Sequence, residues 1–220
     1  MPHTYKFYYF NVRARGEHCR YVLYQAGVPF EDARVGFQQW SEMKKTVPFG
    51  QLPMLEIDGQ HKIVQGTVIS AFLAAEHGLA GRDHVEAARV FMLAHGVYDF
   101  QEKLFTMGLH KYLVTFLNME DINKGKEMWH GQVKGGPFKE HCERYEKFLK
   151  DNGGTWLVGD RVSWADLFQA EVMDRLLIIL DDAALDQYPL LKEHHKRVHQ
   201  LPNIKKYREN RPKSDFNYDW

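Results

Sequence analysis

The sequence predicts an α/β domain followed by an all-α domain, and three observations support this division. Over about the first eighty residues, apolar patterns and turn signals follow the order βαβ and then ββα. Glycines at 78 and 81 mark a change in composition. Beyond them the apolar residues recur only at helical spacing. We therefore expect domains at residues 1–78 and 85–220, joined by a linker at 79–84.

The first half of the α/β domain is predicted from an aromatic strand. Tyr5–Phe10 is short and aromatic, and a helical pattern runs from Arg15 to Ala26 and stops at Gly27. A second strand at 30–35 is expected to run parallel to the first, because a helix separates them. A helical turn within residues 38–47 follows.

The second half is predicted from a hairpin. Asp58–Gly59 ends a strand that begins after Pro53, and residues 61–64 form the return strand. From Gly59 to Gln65 this hairpin is one residue longer than is usual. A helix at 66–77 stops at Gly78. The complete order of elements resembles the thioredoxin topology.

The C-terminal half is predicted to be helical. Residues 118–136 are polar and contain glycine, which favours a helix end and an extended loop. Ser163–Asp166 resembles a capping box, with Asp in the place usually taken by Glu or Gln. Helical periodicity covers 84 to about 118, 137–151, 164–180, 189–201 and 203–210.

Composition excludes several classes of function. The 29 basic and 29 acidic residues balance, so neither nucleic acid nor an anionic membrane surface is an expected partner. No apolar run approaches the length of a membrane span, and the chain opens without an apolar leader, so we expect a cytoplasmic protein. Cys19 and Cys142 form no CxxC motif, which favours a buried, inert thiol at Cys19 over redox or metal chemistry.

Tyr9 is the candidate functional residue of the first strand. Binding sites in α/β sheets form beyond the carboxyl ends of strands, and Tyr9 lies one residue before the end of this apolar run. Its hydroxyl is the polar group best placed to face such a site. The alternative is a core aromatic with a satisfied hydroxyl.

Several short fragments, taken together and in order, resemble the glutathione transferase family. The fragments are Tyr9–Asn11 with Arg15, Trp40 with Lys44, Pro48–Pro53, Glu56–Gly59, Gln65 at a helix start, Asp99–Phe100 and Val162–Asp166. The sigma class and its invertebrate relatives resemble the chain most, over Tyr5 to Pro212. The resemblance implies a homodimeric cytoplasmic enzyme that adds the thiol of glutathione to hydrophobic electrophiles or uses glutathione in isomerisation.

The resemblance assigns the catalytic roles to Tyr9 and Arg15. A cysteine thiol has a pKa of about 8.5, so little thiolate exists at neutral pH. A hydrogen bond to a charged acceptor contributes about 1.5–3 kcal/mol, enough to lower that pKa by one to two units at about 1.4 kcal/mol each. Tyr9 would donate this bond as a protonated phenol. Arg15 would add a cation near the sulfur; its alternative role is a solvated surface charge.

The resemblance also assigns a binding site for glutathione. It implies a cis bond before Pro53, backbone pairing of Leu52 with the cysteinyl unit, and Gln51 beside it. Trp40 and Lys44 would hold the glycyl end, although Trp40 could simply pack and Lys44 be solvated.

Gln65 and its successor would bind the γ-glutamyl carboxylate at a helix N-terminus. The family's serine is replaced here by Gly66, followed by Thr67. The lost hydrogen bond would weaken binding by about 0.5–1.5 kcal/mol, and we expect Gly66→Ser to change the affinity.

The electrophile pocket is predicted from the first turn and the long helix. The lining residues would be Val12, Arg15, Leu104, Phe105 and Met107. Leucine, phenylalanine and methionine at helical spacing are also typical of a hydrophobic core, which is the alternative for the last three. The extended loop at 118–136 would reshape this pocket. Asp99 would reach glutathione in the partner subunit.

Alternatives remain at this stage. His195 and His199 are spaced to hold a metal, but a solvated helix face is favoured, and no metal is expected. The chain could isomerise a prostaglandin endoperoxide, serve as a structural protein like the cephalopod lens S-crystallins, or carry hydrophobic ligands without turnover. The aromatic tail 216–220 could fold over the pocket.

Overall fold

The N-terminal part of the chain is a mixed four-stranded sheet covered by helices. The computed structural model describes residues 2–109, 119–179 and 183–213. Its first elements are β1 (Tyr5–Tyr9), α1 (Glu17–Ala26), β2 (Phe30–Arg34), α2 (Phe37–Met43), β3 (Met54–Ile57), β4 (His61–Val64) and α3 (Gly66–Glu76). The strand order is β2-β1-β3-β4, with β1 and β2 parallel and the other neighbours antiparallel. The predicted βαβ–ββα order is confirmed.

Alternation along β1 sets which side chains face the helices. Tyr5, Phe7 and Tyr9 are buried, whereas the residues between them are half-buried, as expected for a strand whose side chains point to opposite faces. A short 3₁₀ turn, Ala14–Gly16, then leads into α1. The helix ends at Gly27, whose φ of +68° favours glycine and whose N–H bonds to the Tyr24 carbonyl.

The second part of the chain is helical in its described residues, as predicted. The helices are α4 (His84–Thr106), α5 (Met119–Met128), α6 (Lys139–Asp151), α7 (Trp164–Ile179), α8 (Pro189–Gln200) and α9 (Pro202–Asn210). In the first turn of α7, Asp166 accepts hydrogen bonds from the backbone N–H and the hydroxyl of Ser163 at 2.8 and 2.6 Å, so this predicted helix start is confirmed. None of the described helices is both long and apolar enough to cross a bilayer.

Two predictions for the middle of the chain are wrong. The long helix α4 ends at Thr106, well before residue 118, because Gly108 adopts a φ of +87° that a helix does not allow. Residues 119–138 are mostly helical and not a loop: α5 continues into a π-helical segment, Trp129–Phe138, which is kinked at Gly136. Burial of Trp129, Val133 and Phe138 accounts for this, since packing overrides weak helix propensity.

Three sequence predictions fall outside the described residues. These are the continuation of the long helix over 110–118, the end of the helix at residue 180, and the aromatic tail 216–220.

Candidate active site

Tyr9 ends β1 beside the turn that leads into α1. Its hydroxyl oxygen accepts a hydrogen bond from the backbone N–H of Arg15 at 3.1 Å, and its ring covers Gly16 so closely that a Cβ there would lie 2.3 Å from Tyr9 Cδ1. Burial raises the pKa of Tyr9, with the Arg15 hydrogen bond opposing it in part. The phenol is therefore protonated at neutral pH, and its proton is free for another acceptor.

Arg20 fixes the turn that follows Tyr9. Its guanidinium is buried, donates to the carbonyls of Val12 at 2.8 Å and Phe10 at 3.2 Å, and pairs with Asp32 at 3.0 Å. It also lies 5.7 Å from the centre of the Tyr9 ring. Because these bonds join α1, the turn and β2, the backbone around Tyr9 is held on both sides.

Arg13 ties the same turn to the helical part of the chain. Its buried guanidinium pairs with Asp174 at 2.8 Å and Glu171 at 3.4 Å, both on α7. These two carboxylates raise the pKa of Arg13 against the opposing effect of burial. This anchoring role was not predicted from the sequence.

Arg15 points its side chain toward α4. Its guanidinium pairs with Glu102 at 2.7 Å and lies 4.4 Å from the centre of the Phe105 ring. The side chain is 42% exposed, so solvent screens this ion pair.

A cavity of about 190 Å³ opens between the sheet domain and α4. It is lined by seven predicted site residues and three others: Arg15, Gln51, Leu52, Pro53, Gln65, Gly66 and Thr67, with His18, Tyr98 and Gln101. Tyr9 does not line this cavity, but its hydroxyl is bonded to the backbone of Arg15, which does.

The floor of the cavity carries the predicted proline turn. The Leu52–Pro53 bond is cis, as expected. Gln65 adopts a φ of +75°, and its side-chain Nε2 donates a hydrogen bond to the side-chain Oε1 of Gln51 at 3.1 Å. The helix α3 begins directly after it at Gly66, so the unpaired N–H groups of its first turn open at this end of the cavity.

The space assigned from the sequence to a serine hydroxyl at position 66 is already filled. A Cβ at Gly66 would lie 2.7 Å from Nε2 of His18. A serine at position 66 would therefore require the His18 ring to shift. His18, Tyr98 and Gln101 were missed; the one available signal was a polar His18 on the apolar face of the first helix, near Tyr21 and Val22.

Three other predicted binding residues lie outside this cavity. Trp40 is half-buried, with its ring 5.9 Å from Phe10, and packs on the small cluster around Met54. Lys44 is exposed, and its alkyl chain runs beside Gly50, where a Cβ would lie 3.4 Å from it. Asp99 is 72% exposed on α4, at 4.0 Å from His95.

The four predicted electrophile-pocket residues lie around the site without lining the cavity. Val12 and Leu104 are buried in the core, and Met107 packs against it. Phe105 is covered by the Arg15 guanidinium. Their role toward an electrophile stays a prediction.

The predicted solvated face at His195 and His199 is wrong. His199 is 4% exposed, and both rings cluster with Asp174. Both oxygens of Asp174 already accept from arginines, Arg13 at 2.8 Å and Arg208 at 2.7 Å. A cation in this cluster would face two guanidinium groups, which opposes metal binding.

Cys19 is buried, as predicted. Its thiol donates to the carbonyl of Gly66 at 3.3 Å, and burial raises its pKa to about 12. A thiol held in this protonated form is a poor nucleophile.

Sequence comparison decides the family. Residues 5–75 match the domain described as "Glutathione S-transferase, N-terminal domain", and residues 107–211 match "Glutathione S-transferase, C-terminal domain". The chain belongs to the glutathione S-transferase family. A probable glutathione S-transferase of Caenorhabditis elegans is 39% identical over 94% of this chain and 96% of its own. The hematopoietic prostaglandin D synthase of Gallus gallus is 35% identical over 97% and 99%.

Solved structures agree with this assignment. The glutathione S-transferase of Ascaris lumbricoides superposes with a TM-score of 0.85 at 34% identity, over 96% of this chain and 98% of that one. A monomeric glutathione S-transferase of the hookworm Necator americanus gives a TM-score of 0.85 at 29% identity, over 97% and 100%. The thioredoxin-like domain followed by an all-helical domain is thus the glutathione S-transferase fold.

Proposed function

We propose that this chain is a glutathione transferase that conjugates the glutathione thiol to hydrophobic electrophiles, with Tyr9 stabilising the thiolate. The observation that carries the proposal is the bonding of Tyr9. Its oxygen accepts a hydrogen bond from the backbone N–H of Arg15, a residue that lines the cavity, and the phenol still has its own proton to donate.

The chemistry needs only a modest stabilisation of the anion. A hydrogen bond from a neutral donor to a charged acceptor contributes about 1.5–3 kcal/mol, which lowers a thiol pKa of about 8.5 by one to two units. The raised pKa of Tyr9 keeps the donor protonated throughout the neutral range. Arg15 adds positive charge, reduced by its pairing with Glu102 at 2.7 Å.

In the proposed binding mode the tripeptide spans the cavity. The γ-glutamyl end meets Gln65, Thr67 and the first turn of α3, where free N–H groups and the helix dipole favour an anion. The cysteinyl backbone pairs with Leu52, beside Gln51. The glycyl carboxylate meets Lys44 and Trp40 at the exposed rim.

The proposal includes three further expectations from the sequence. These are a linker at 79–84 between the two domains, membership of a sigma-like class and a cytoplasmic location.

Dimer formation is part of the proposal. Among the described residues, six large apolar side chains are exposed, namely Phe37, Phe49, Val68, Val85, Phe91 and Met92. Phe91, His95 and Asp99 recur every four residues on one face of α4, with the Phe91 and His95 rings stacked. Burying this face against a second copy would bring Asp99 to the partner's glutathione.

A second candidate activity is glutathione-dependent isomerisation of a prostaglandin endoperoxide. The specific observation in its favour is the 35% identity with an avian protein named prostaglandin D synthase. The same thiolate would serve both reactions, so both depend on Tyr9.

The test combines retention on immobilised glutathione with the rate of conjugation to a model aryl halide. We compare the wild type with Tyr9→Phe, and use Tyr8→Phe as the matched control, because Tyr8 lies on the opposite face of β1. We expect retention of all three proteins and a large loss of rate in Tyr9→Phe alone. Absence of both retention and turnover indicates a structural protein, and retention without turnover indicates a carrier; either outcome contradicts the proposal.

A further inference from the structure

Gly66 and His18 share one small volume at the start of α3. A Cβ built on Gly66 would lie 2.7 Å from His18 Nε2 and 3.0 Å from the carbonyl oxygen of Arg15. Non-bonded atoms do not approach this closely, so the imidazole occupies the space that a side chain at position 66 would need. Both residues line the cavity. The His18 ring can therefore occupy this position only because residue 66 has no side chain; we call this relationship the steric pairing of Gly66 and His18.

The imidazole of His18 is held firmly in this place. Nδ1 lies 2.9 Å from the hydroxyl oxygen of Ser70, and the ring stacks on Phe168 with the centres 4.0 Å apart. The residue is only 3% exposed. Burial and the nearby charge of Arg175 together lower the pKa of His18 to about 3, so the ring is neutral at physiological pH.

A neutral imidazole offers one donor and one acceptor. Nδ1 is a better acceptor for the Ser70 hydroxyl than the sulfur of Cys19, which lies 3.5 Å from the same oxygen. Nδ1 therefore accepts, and Nε2 carries the proton. The Arg15 carbonyl lies beside this edge of the ring, but a carboxylate is a stronger acceptor than a peptide carbonyl and competes for the proton.

We infer that His18 is a specificity-determining residue of this site, whose Nε2–H binds the α-carboxylate of the γ-glutamyl group of glutathione. Gly66 is the companion change that leaves room for the ring. The inference rests on the proposed function, because it assumes that glutathione occupies the cavity. In this inference the side chain that donates to the γ-glutamyl carboxylate comes from His18 on α1, and not from residue 66 at the start of α3.

The test is calorimetric titration with two ligands. One is glutathione, and the other is an analogue in which a γ-aminobutyryl group replaces the γ-glutamyl group, so that the α-carboxylate is missing. His18→Phe keeps a ring on Phe168 but removes the donor. We expect it to weaken glutathione binding about tenfold or more. Binding of the analogue should change less than about twofold, because the analogue has no acceptor for Nε2.

A second comparison tests the steric pairing. Gly66→Ser should weaken glutathione binding, since its Cβ displaces the imidazole. The double variant His18→Ala/Gly66→Ser should bind more tightly than either His18→Ala or Gly66→Ser, because the hydroxyl then replaces the lost donor.

The outcomes distinguish a failure of the proposed glutathione transferase function from a failure of the role inferred for His18. If the wild type fails to bind glutathione, the proposed function and this inference both fall. If the wild type binds but His18→Phe weakens both ligands equally, or neither, the role of His18 is merely structural and only this inference is overturned. Equal binding by Gly66→Ser and wild type would likewise overturn the steric pairing.

Discussion

The hydroxyl oxygen of Tyr9 accepts a hydrogen bond from the backbone N–H of Arg15 across 3.1 Å. A phenol oxygen that accepts from a peptide N–H still has its own proton to donate. Burial raises the pKa of Tyr9, so this proton is retained at neutral pH. The proposed thiolate chemistry depends on this arrangement, and the following changes probe its parts.

Gly16→Ala tests the packing that positions Tyr9. The added methyl would lie 2.3 Å from Tyr9 Cδ1, so the ring has to move. We expect a lower conjugation rate although the hydroxyl is present, and a loss of stability of about 1–3 kcal/mol from overpacking. Steady-state rates and thermal melting measure the two effects. Gly36→Ala is the control, since no atom of the described part of the chain lies within 4 Å of a Cβ built there. An unchanged rate in Gly16→Ala contradicts the prediction.

Arg15→Gln tests the cation beside the site. The guanidinium shares its charge with Glu102 and is 42% exposed, so its field at the sulfur is partly cancelled and screened. We expect the pKa of the thiol of bound glutathione to rise by up to about one unit, which is less than the rise expected in Tyr9→Phe. Arg15→Lys keeps the charge and should show a smaller rise. A rise larger than that of Tyr9→Phe would transfer the main role to Arg15.

The sequence predicted the sheet well and the middle of the chain poorly, for physical reasons. Alternation in Tyr5–Tyr9 and the Asp58–Gly59 turn are local signals, and they specified β1 and the hairpin. The segment after α5 is helical because Trp129 and Val133 are buried by other elements. Such long-range packing leaves little trace in local propensity.

The sequence predicted those residues of the candidate site that lie within short sequence motifs. Gln51, Pro53 and Gln65 lie within recognisable fragments, and all three line the cavity. His18 and Gln101 were missed: the polar His18 on an apolar helix face was a signal, but the sequence does not show which cavity such a residue will line. The filled space beside Gly66 depends on a contact between α1 and α3, which the sequence alone does not reveal.

Phe49→Asp tests assembly. Phe49 is 83% exposed, so its ring is accessible to a partner surface. We expect the wild type to sediment as a dimer and the variant to shift toward a monomer, because a buried charge destabilises an interface. Gln39→Asp, which places the same charge at an exposed polar position of the sheet domain, is the control. A monomeric wild type at micromolar concentration contradicts this part of the proposal.

His141→Phe tests the pH dependence of stability. Burial lowers the pKa of His141 to about 4, against about 6.5 when unfolded. Below about pH 6.5 the unfolded state therefore binds a proton that the folded state does not, so stability falls as the pH falls.

The substitution His141→Phe removes the group that binds this proton but keeps an aromatic ring stacked on Phe100 and Tyr145. From about pH 7 to 5 the wild type should lose about 2 kcal/mol more free energy of unfolding than the variant, measured with urea. His61→Phe, on the exposed side of β4, is the control for loss of a histidine. Parallel pH profiles for wild type and His141→Phe would refute the assignment.

The role of Tyr9 is measured most directly by titrating the thiol of bound glutathione, using the ultraviolet absorbance of the thiolate against pH. We predict a pKa one to two units below the free value of about 8.5 in the wild type, and a rise toward that value in Tyr9→Phe. If Tyr9→Phe binds glutathione and titrates with the wild-type pKa, Tyr9 does not stabilise the thiolate and the proposed mechanism is wrong.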